Sequence, residues 1–338
     1  MVKSATAARS RVRRVTPLKA AAAAGILLAG IQAYLLVKWV AGPNFAEVSY
    51  GPTVPPTWMK VAILTVQVLS TAMVVVLVYR FVVLPFRRER RIPFDGLLVL
   101  TALCVSMYDP LSSYFHVWFA YNSYFFNRGT PMVGMPGWQS FNEPGAQIAW
   151  PIFFIPALYA GMFLGIPVLG CLVMRRARSR WPQLPNIGLL AICFITIVVI
   201  DIVLEGLVVM RLGIYDHTGP SIPLLDSYYS HNALANIVLV AVTITAFTAL
   251  RYFRNDRGET LVERGSEQFG SSGARSSTLR FFAVFAAMQM CLLLGYHVPM
   301  AIWTTITPNS AWHEDMQQNS YLNDHICGVG TARVCPQG

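Results

Sequence analysis

Two carboxylic acids, Asp201 and Glu205, interrupt the apolar run ICFITIVVIDIVLEGLVVM that ends at Met210. A four-residue step places both on one face of a helix. An ionised carboxylate at the centre of a bilayer costs roughly 2.5–3.5 kcal/mol on insertion scales, so two on one stripe point to a polar cavity rather than to lipid. A third acid, Asp109, precedes Pro110 in another apolar stretch. Proline has no N–H to give the carbonyl of Ser106, so the helix is expected to kink or break there, as helices do where they line a cavity. Buried carboxyl groups in proximity suit acid–base chemistry, one protonating a leaving oxygen while another accepts the proton of an attacking hydroxyl. The same acids would also suit a proton relay or hydrogen bonding between helices.

Other polar side chains gather on the same side of the midplane. Asp109, Ser113 and His116 follow i, i+4, i+7 spacing and would share one helical face. Helical rise places Asp109 ~21 Å and Asp201 ~22 Å above the inner ends of their spans, with His116 and Glu205 at ~30 Å. An Asp109–Asp201 layer beneath a His116–Glu205 layer is therefore expected. Asn236 descends the sixth span, Gln289 and Tyr296 climb the seventh, and the loop 120–146 brings Tyr121, Asn122, Trp138 and Glu143. The expected catalytic residues are Asp201, Glu205 and Asp109, in that order. The expected substrate-binding residues are His116, Tyr121, Asn122, Trp138, Glu143, Asn236, Gln289 and Tyr296. Aromatic loops of this kind also arise as membrane-interface belts.

The elements that must hold these residues are transmembrane helices. The chain is 55% hydrophobic and 12% charged, with a mean hydropathy of +0.50, where a soluble domain carries about 25% charge. Runs of about 20 apolar residues, enough to cross the hydrocarbon core, recur. They lie at about 18–40, 59–84, 96–119, 147–173, 187–210, 232–250 and 280–303, predicting an all-α bundle of seven transmembrane helices. The first run follows a basic segment as a signal peptide would, but its length and the lack of an A-x-A site favour a retained helix.

The net charge of +10 is not that of a nucleic-acid binder. The 26 basic residues cluster between Lys3 and Lys19, in RFVVLPFRRERR (80–91), in RRARSR (175–180) and over 251–280, leaving only Lys38, Lys60, Arg128, Arg211 and Arg333 elsewhere. Basic residues in alternate loops predict a cytoplasmic N-terminus and an outside C-terminus. This gives a basic N-terminus (1–17), a seven-helix domain (18–306) and an extracytoplasmic tail (307–338) of a multi-pass plasma-membrane protein. Cys327 and Cys335 lie in that tail, where a disulfide is expected. The polar loop 251–279 with FGSSGARSS is expected to be mobile. No metal-ligand spacing and no nucleotide-binding motif is present, so no cofactor is expected.

Several stretches together resemble one family. AGIQAYLLVKWV with PPTWMK, RRERRIPFDG, SMYDPLSSYF–AYNSYFFNRG–PGW, DIVLEGL and RYFRNDRGETLVERG are similar, in that order and over about residues 25–265, to the avermectin-type (AveC-like) spirocyclase family. The resemblance implies an actinobacterial integral membrane protein that closes a dihydroxyketone polyketide into a spiroketal and can dehydrate a ring carbon. Asp109, Asp201 and Glu205 lie inside the matching stretches. Spiroketal closure needs the acid and base read above and no metal or nucleotide, and a hydrophobic substrate could enter from the bilayer. The competing readings are a proton-coupled carrier and a membrane terpene cyclase. A retinal protein is excluded, because the only lysines are Lys3, Lys19, Lys38 and Lys60 and none falls in the last span.

Overall fold

The computed structural model describes residues 16–219, 222, 225–266, 274–306 and 311–336. Seven helices among them are long and apolar enough to cross a membrane: α1 (Pro17–Val40), α2 (Thr57–Glu89), α3 (Phe94–Ser113), α4 (Ile155–Arg180), α5 (Asn186–Leu212), α6 (Leu234–Tyr252) and α7 (Arg275–Ile306). The chain is a multi-pass helical membrane protein. The N-terminal basic segment before Thr16 and the FGSSG portion of the long polar loop lie outside the described residues.

Prolines set five of the seven helix starts. Pro56, Pro93 and Pro185 immediately precede α2, α3 and α5, while Pro17 and Pro156 occupy the first turns of α1 and α4. A missing N–H costs nothing there, and the fixed φ suits a helix entrance. Pro156 explains why α4 begins later than hydropathy alone predicts. At its other end the run RRARSR, made mostly of good helix formers, carries α4 on to Arg180.

α3 and α4 are central. α3 packs on α4 and α7, α4 also meets α5 and α6, and α1 lies along α7. At the α1–α7 crossing a Cβ on Gly25 would stand 2.0 Å from the carbonyl oxygen of Phe282. Only glycine admits that approach, the close packing that small residues permit between membrane helices. The apolar core runs through Leu97, Val105, Phe163, Ile197, Phe247 and Met288.

Three helices leave α geometry at the depth of the acids. α3 tightens to a 3₁₀ helix over Ser106–Ser113 and ends there, six residues before the expected 119. α5 widens to a π-helix over Ile202–Val209, and α7 does so over Leu293–His297. Beyond α3 the chain turns into a short strand, β1 (Phe119–Tyr121), antiparallel to β2 (Tyr215–His217), with Phe119 opposite His217 and Tyr121 opposite Tyr215. This ribbon closes the loop-rich end of the bundle.

The tail folds onto the same end. Trp312, Met316, Tyr321 and Ile326 are buried, Ser123 N–H donates to the Tyr321 carbonyl (2.8 Å) and Ala149 N–H to Asp324 Oδ2 (3.2 Å). A short helix, α8 (Glu314–Gln318), lies in it, and Cys327 and Cys335 form a disulfide. Alkylation of the purified protein is expected to label both cysteines only after reduction; labelling both without reductant would count against the bond.

Part of the basic-end loop is ordered, contrary to the expectation of mobility across 251–279. Thr260 and Glu263 form a reciprocal capping box, and Arg280 of α7 donates to Glu263 Oε1 from Nη2 (2.5 Å) and Nε (2.8 Å) and to the Ile92 carbonyl from Nη1 (2.8 Å). Specific polar pairing, invisible in the composition of the loop, holds it in place.

Candidate active site

A cavity of about 80 Å³ lies where α3, α4, α5, α6 and α7 meet the underside of the β ribbon. Its polar lining includes Asp109, Tyr121, Glu205, Asn236 and Tyr296; its apolar wall includes Leu158, Met162, Phe163, Val240, Ile244 and Leu292. Each acid arrives on a segment with non-α winding. Asp109 sits in the 3₁₀ turn beside Pro110, where an N–H is missing. A 3₁₀ helix rises ~2.0 Å per residue against ~1.5 Å for an α-helix, so the winding from Ser106 to Asp109 lifts Asp109 by only ~1.5 Å. The expected pairing of Asp109 with Asp201 in a lower layer is corrected by the cavity itself: Asp109 and Glu205 share its lining and Asp201 is absent from it.

Both oxygens of Asp109 accept hydrogen bonds from phenols. Tyr121 of β1 donates to Oδ2 (2.5 Å) and Tyr159 of α4 to Oδ1 (2.9 Å). Burial first, and then the adjoining Asp109 carboxylate, hold the Tyr121 phenol well above its ordinary value, so it stays a donor. Glu205 Oε1 accepts from Asn236 Nδ2 (2.5 Å), and Asn236 Oδ1 in turn accepts from Tyr296 (2.9 Å), a chain that crosses α5, α6 and α7. Tyr215 on β2 adjoins Glu205; burial and that carboxylate push its phenol well above the usual range. Asp201 is buried one turn below, within side-chain hydrogen-bonding reach of Glu205, and its Oδ2 has no partner among the described residues.

The ribbon adds two rings. Trp118 donates from Nε1 to Ser112 Oγ (2.9 Å) and stacks on His217, with centroids 4.8 Å apart and planes 11° apart. His217 Nδ1 lies 2.8 Å from the His231 carbonyl and 3.3 Å from Ala233 N. The shorter contact requires Nδ1 to carry the proton, which leaves Nε2 as an acceptor. Burial lowers the His217 pKa to about 4, so the ring is neutral at physiological pH. The cavity thus combines carboxyl groups, neutral phenols and a neutral imidazole within apolar walls, the set that proton transfer to and from an uncharged substrate requires.

The structure brings together Asp109, Glu205, Tyr121, Asn236 and Tyr296 and sets the other expected binding residues apart. His116 does not share a helical face with Asp109, because α3 ends at Ser113; with Glu143 it lines a separate outer cavity of about 410 Å³ beside the tail. Glu143 pairs there with Arg333. Trp138 packs on Tyr114 and donates to the Phe141 carbonyl (3.4 Å). Asn122 braces loops, donating to the Gly213 carbonyl (2.8 Å) and accepting from Tyr124 N–H (3.0 Å). Gln289 is buried in α7 about two turns from Tyr296 and outside the cavity lining. Sequence reasoning missed Trp118, Tyr159, Tyr215 and His217. Tyr159 had a signal, a lone hydroxyl in the apolar run PALYAGM; a three-residue strand is too short to show its alternation.

Above the ribbon, Asp216, His231 and Asp315 offer ligand atoms within 4.8 Å of one another, the one such group among the described residues. Here they join β2 to the tail through one hydrogen bond and one longer ion-pair contact. His231 Nδ1 is 2.6 Å from Asp216 Oδ2, its Nε2 is 3.8 Å from Asp315 Oδ1, and His313 stacks on its ring at 3.6 Å. Burial opposes charge on His231, but the Asp216 hydrogen bond and the charges of Asp216, Asp315 and Asp226 outweigh it and raise its pKa above 6.5. Such a shift stabilises fully below 6.5 and is lost as pH climbs through the folded value. Burial also raises Asp216 above 3.8, which acts in the same direction at lower pH. Proteolysis of the tail is therefore expected to speed up on the alkaline side of 6.5; a cutting rate that does not change there would remove this joint as a pH-dependent contact.

Comparison with protein families matches the family described as Spirocyclase AveC-like to residues 89–322, a stretch that contains every residue lining the inner cavity and reaches into the tail. Comparisons with curated proteins and with solved structures give no match.

Proposed function

The chain belongs to the spirocyclase AveC-like family, and from that premise we propose that it is a cofactor-independent membrane enzyme that closes a hydrophobic, polyketide-type keto-diol into a spiroketal by acid–base catalysis. The observation that carries this reading is the convergence of Asp109 and Glu205, from different helices, on one otherwise apolar cavity, each already bonded to a neutral donor. Closure begins with a hemiketal. Glu205, sharing a proton with Asp201, protonates the hemiketal hydroxyl, which leaves as water and gives an oxocarbenium-like carbon. The second substrate hydroxyl attacks that carbon while Asp109 takes its proton, and the net change is loss of one water. Two acids side by side favour retention of one proton between them, and the low dielectric strengthens the attraction of Asp109 for the developing positive charge.

At about 80 Å³ the cavity suits the reacting carbon and its neighbours rather than a whole polyketide. The half-buried Leu158, Met162 and Val240 form its apolar wall, along which the remaining hydrocarbon would lie. On this reading the α4–α5 turn, which carries a basic cluster, faces the cytoplasm and the cavity lies in the outer half of the plasma membrane; the alternation of basic loops supports that orientation. Dehydration of a ring carbon would use the same acid and base.

Comparative metabolite profiling of a deletion strain and its parent tests the reading. The expected result is accumulation of a keto-diol and disappearance of a product lighter by one water. An unchanged set of compounds redistributed between cells and medium would instead indicate a carrier.

A further inference from the structure

Far from the cavity, at the basic end of the bundle, α4 and α5 leave a cleft of about 410 Å³ lined by Leu172, Val173, Arg176, Arg180, Trp181 and Ile192 among others. Its wall is almost wholly hydrocarbon, the stems of Arg176 and Arg180 included, which leaves their charged ends to the rim. The arginines of RRARSR have divided roles. Arg178 turns into the α4–α5 connection, donating from Nη1 to the Leu184 carbonyl (2.5 Å) and from Nη2 to Asn186 Oδ1 (2.6 Å). That bracing fixes how the two helices diverge. Arg176 and Arg180, one helical turn apart, remain on the cleft. Neither is in an ion pair, and no acid lines the cleft, among the described residues.

We propose that this cleft is a binding site for an anionic phospholipid. The phosphate lies between Arg176 and Arg180, whose planar forks match phosphate oxygens. An acyl chain runs along Leu172, Val173 and Ile192, and Trp181 stands at headgroup level, where its amphipathic ring is favoured. From Trp181 back to Leu172 the helix offers ~14 Å of apolar wall, which a free phosphate would leave uncovered. Leu172 and Trp181 are 53% and 55% exposed, so the cleft opens toward lipid rather than into the protein. A zwitterionic lipid would cover the wall and leave two cations unbalanced.

Native mass spectrometry of the purified full chain, given phosphatidylglycerol or phosphatidylcholine, tests the assignment. Phosphatidylglycerol is expected to be retained roughly ten-fold better, in line with the attraction of two basic side chains for an anionic surface. The Arg176→Gln/Arg180→Gln double variant should bring the two lipids to parity. Arg176→Lys/Arg180→Lys, which keeps the charge, should retain part of the preference and controls for folding. Undiminished preference in the Gln variant, or displacement of phosphatidylglycerol by inorganic phosphate alone, would overturn the proposal. The measurement does not involve cyclisation, so its outcome is independent of the catalytic reading.

Discussion

Glu205→Gln and Asp109→Asn are each expected to lower cyclisation by roughly 10²–10⁴-fold, the usual contribution of a positioned proton-transfer group. Each substitution keeps the shape of the side chain, so insertion and helix content should match the parent protein. The double variant should lose less than the product of the two, because both groups serve one transition state. Asp201→Asn belongs to a different class: Asp201 does not line the cavity and under the proposed mechanism would act through Glu205, so its replacement should move the pH profile more than the maximal rate. Product formation by a folded Glu205→Gln/Asp109→Asn chain at the parent rate would leave both acids as structural hydrogen-bond partners.

The largest expected effect on stability lies at the opposite end. Arg280 and Glu263 are only 3% exposed and are bonded to each other, and Glu263 Oε2 also accepts from the Thr260 N–H and hydroxyl. Removing one partner strands the other charge, which costs about 3–5 kcal/mol. Arg280→Met and Glu263→Gln should therefore each depress the thermal midpoint strongly, and the double variant by less than the sum. Arg128–Glu47 provides the comparison, because its side chains are 35% and 63% exposed and exposed pairs contribute about 0–1 kcal/mol. If Arg280→Met shifts the midpoint no further than Arg128→Met does, the buried pair does not anchor the loop.

Much of this architecture is legible in the sequence, for identifiable reasons. Seven spans follow from hydrophobic length, and five of their seven starts coincide with Pro17, Pro56, Pro93, Pro156 and Pro185. The acids could be read as cavity-lining from the cost of leaving them in lipid, and for Asp109 and Glu205 the structure places them so. Depth was harder to read. A constant α-helical rise could not register the 3₁₀ turn at Asp109, and it carried the third span past its end to His116. The Pro110 signal announced a break without saying which winding would replace the α-helix. In α7 a comparable signal went unread: Pro299 has no N–H for the Gly295 carbonyl inside the π segment, whereas the π segment of α5 contains no proline. Tyr215 and His217 reach the cavity only because a loop pairs with another loop nearly a hundred residues away, which no local pattern announces.

The wide winding around Glu205 and Tyr296 bears on how relatives of this chain should be compared. In these segments the N–H of Met210 reaches back five residues to the Glu205 carbonyl, and that of Val298 to Leu293. Deleting one residue between Asp201 and Glu205 would turn Glu205 by about 100° relative to the helix below it. Composition and hydropathy would hardly change, yet the carboxylate would leave the chamber. Gap placement within these two short stretches, more than percentage identity, should therefore separate relatives that keep the same reactive face from those that have exchanged it for another.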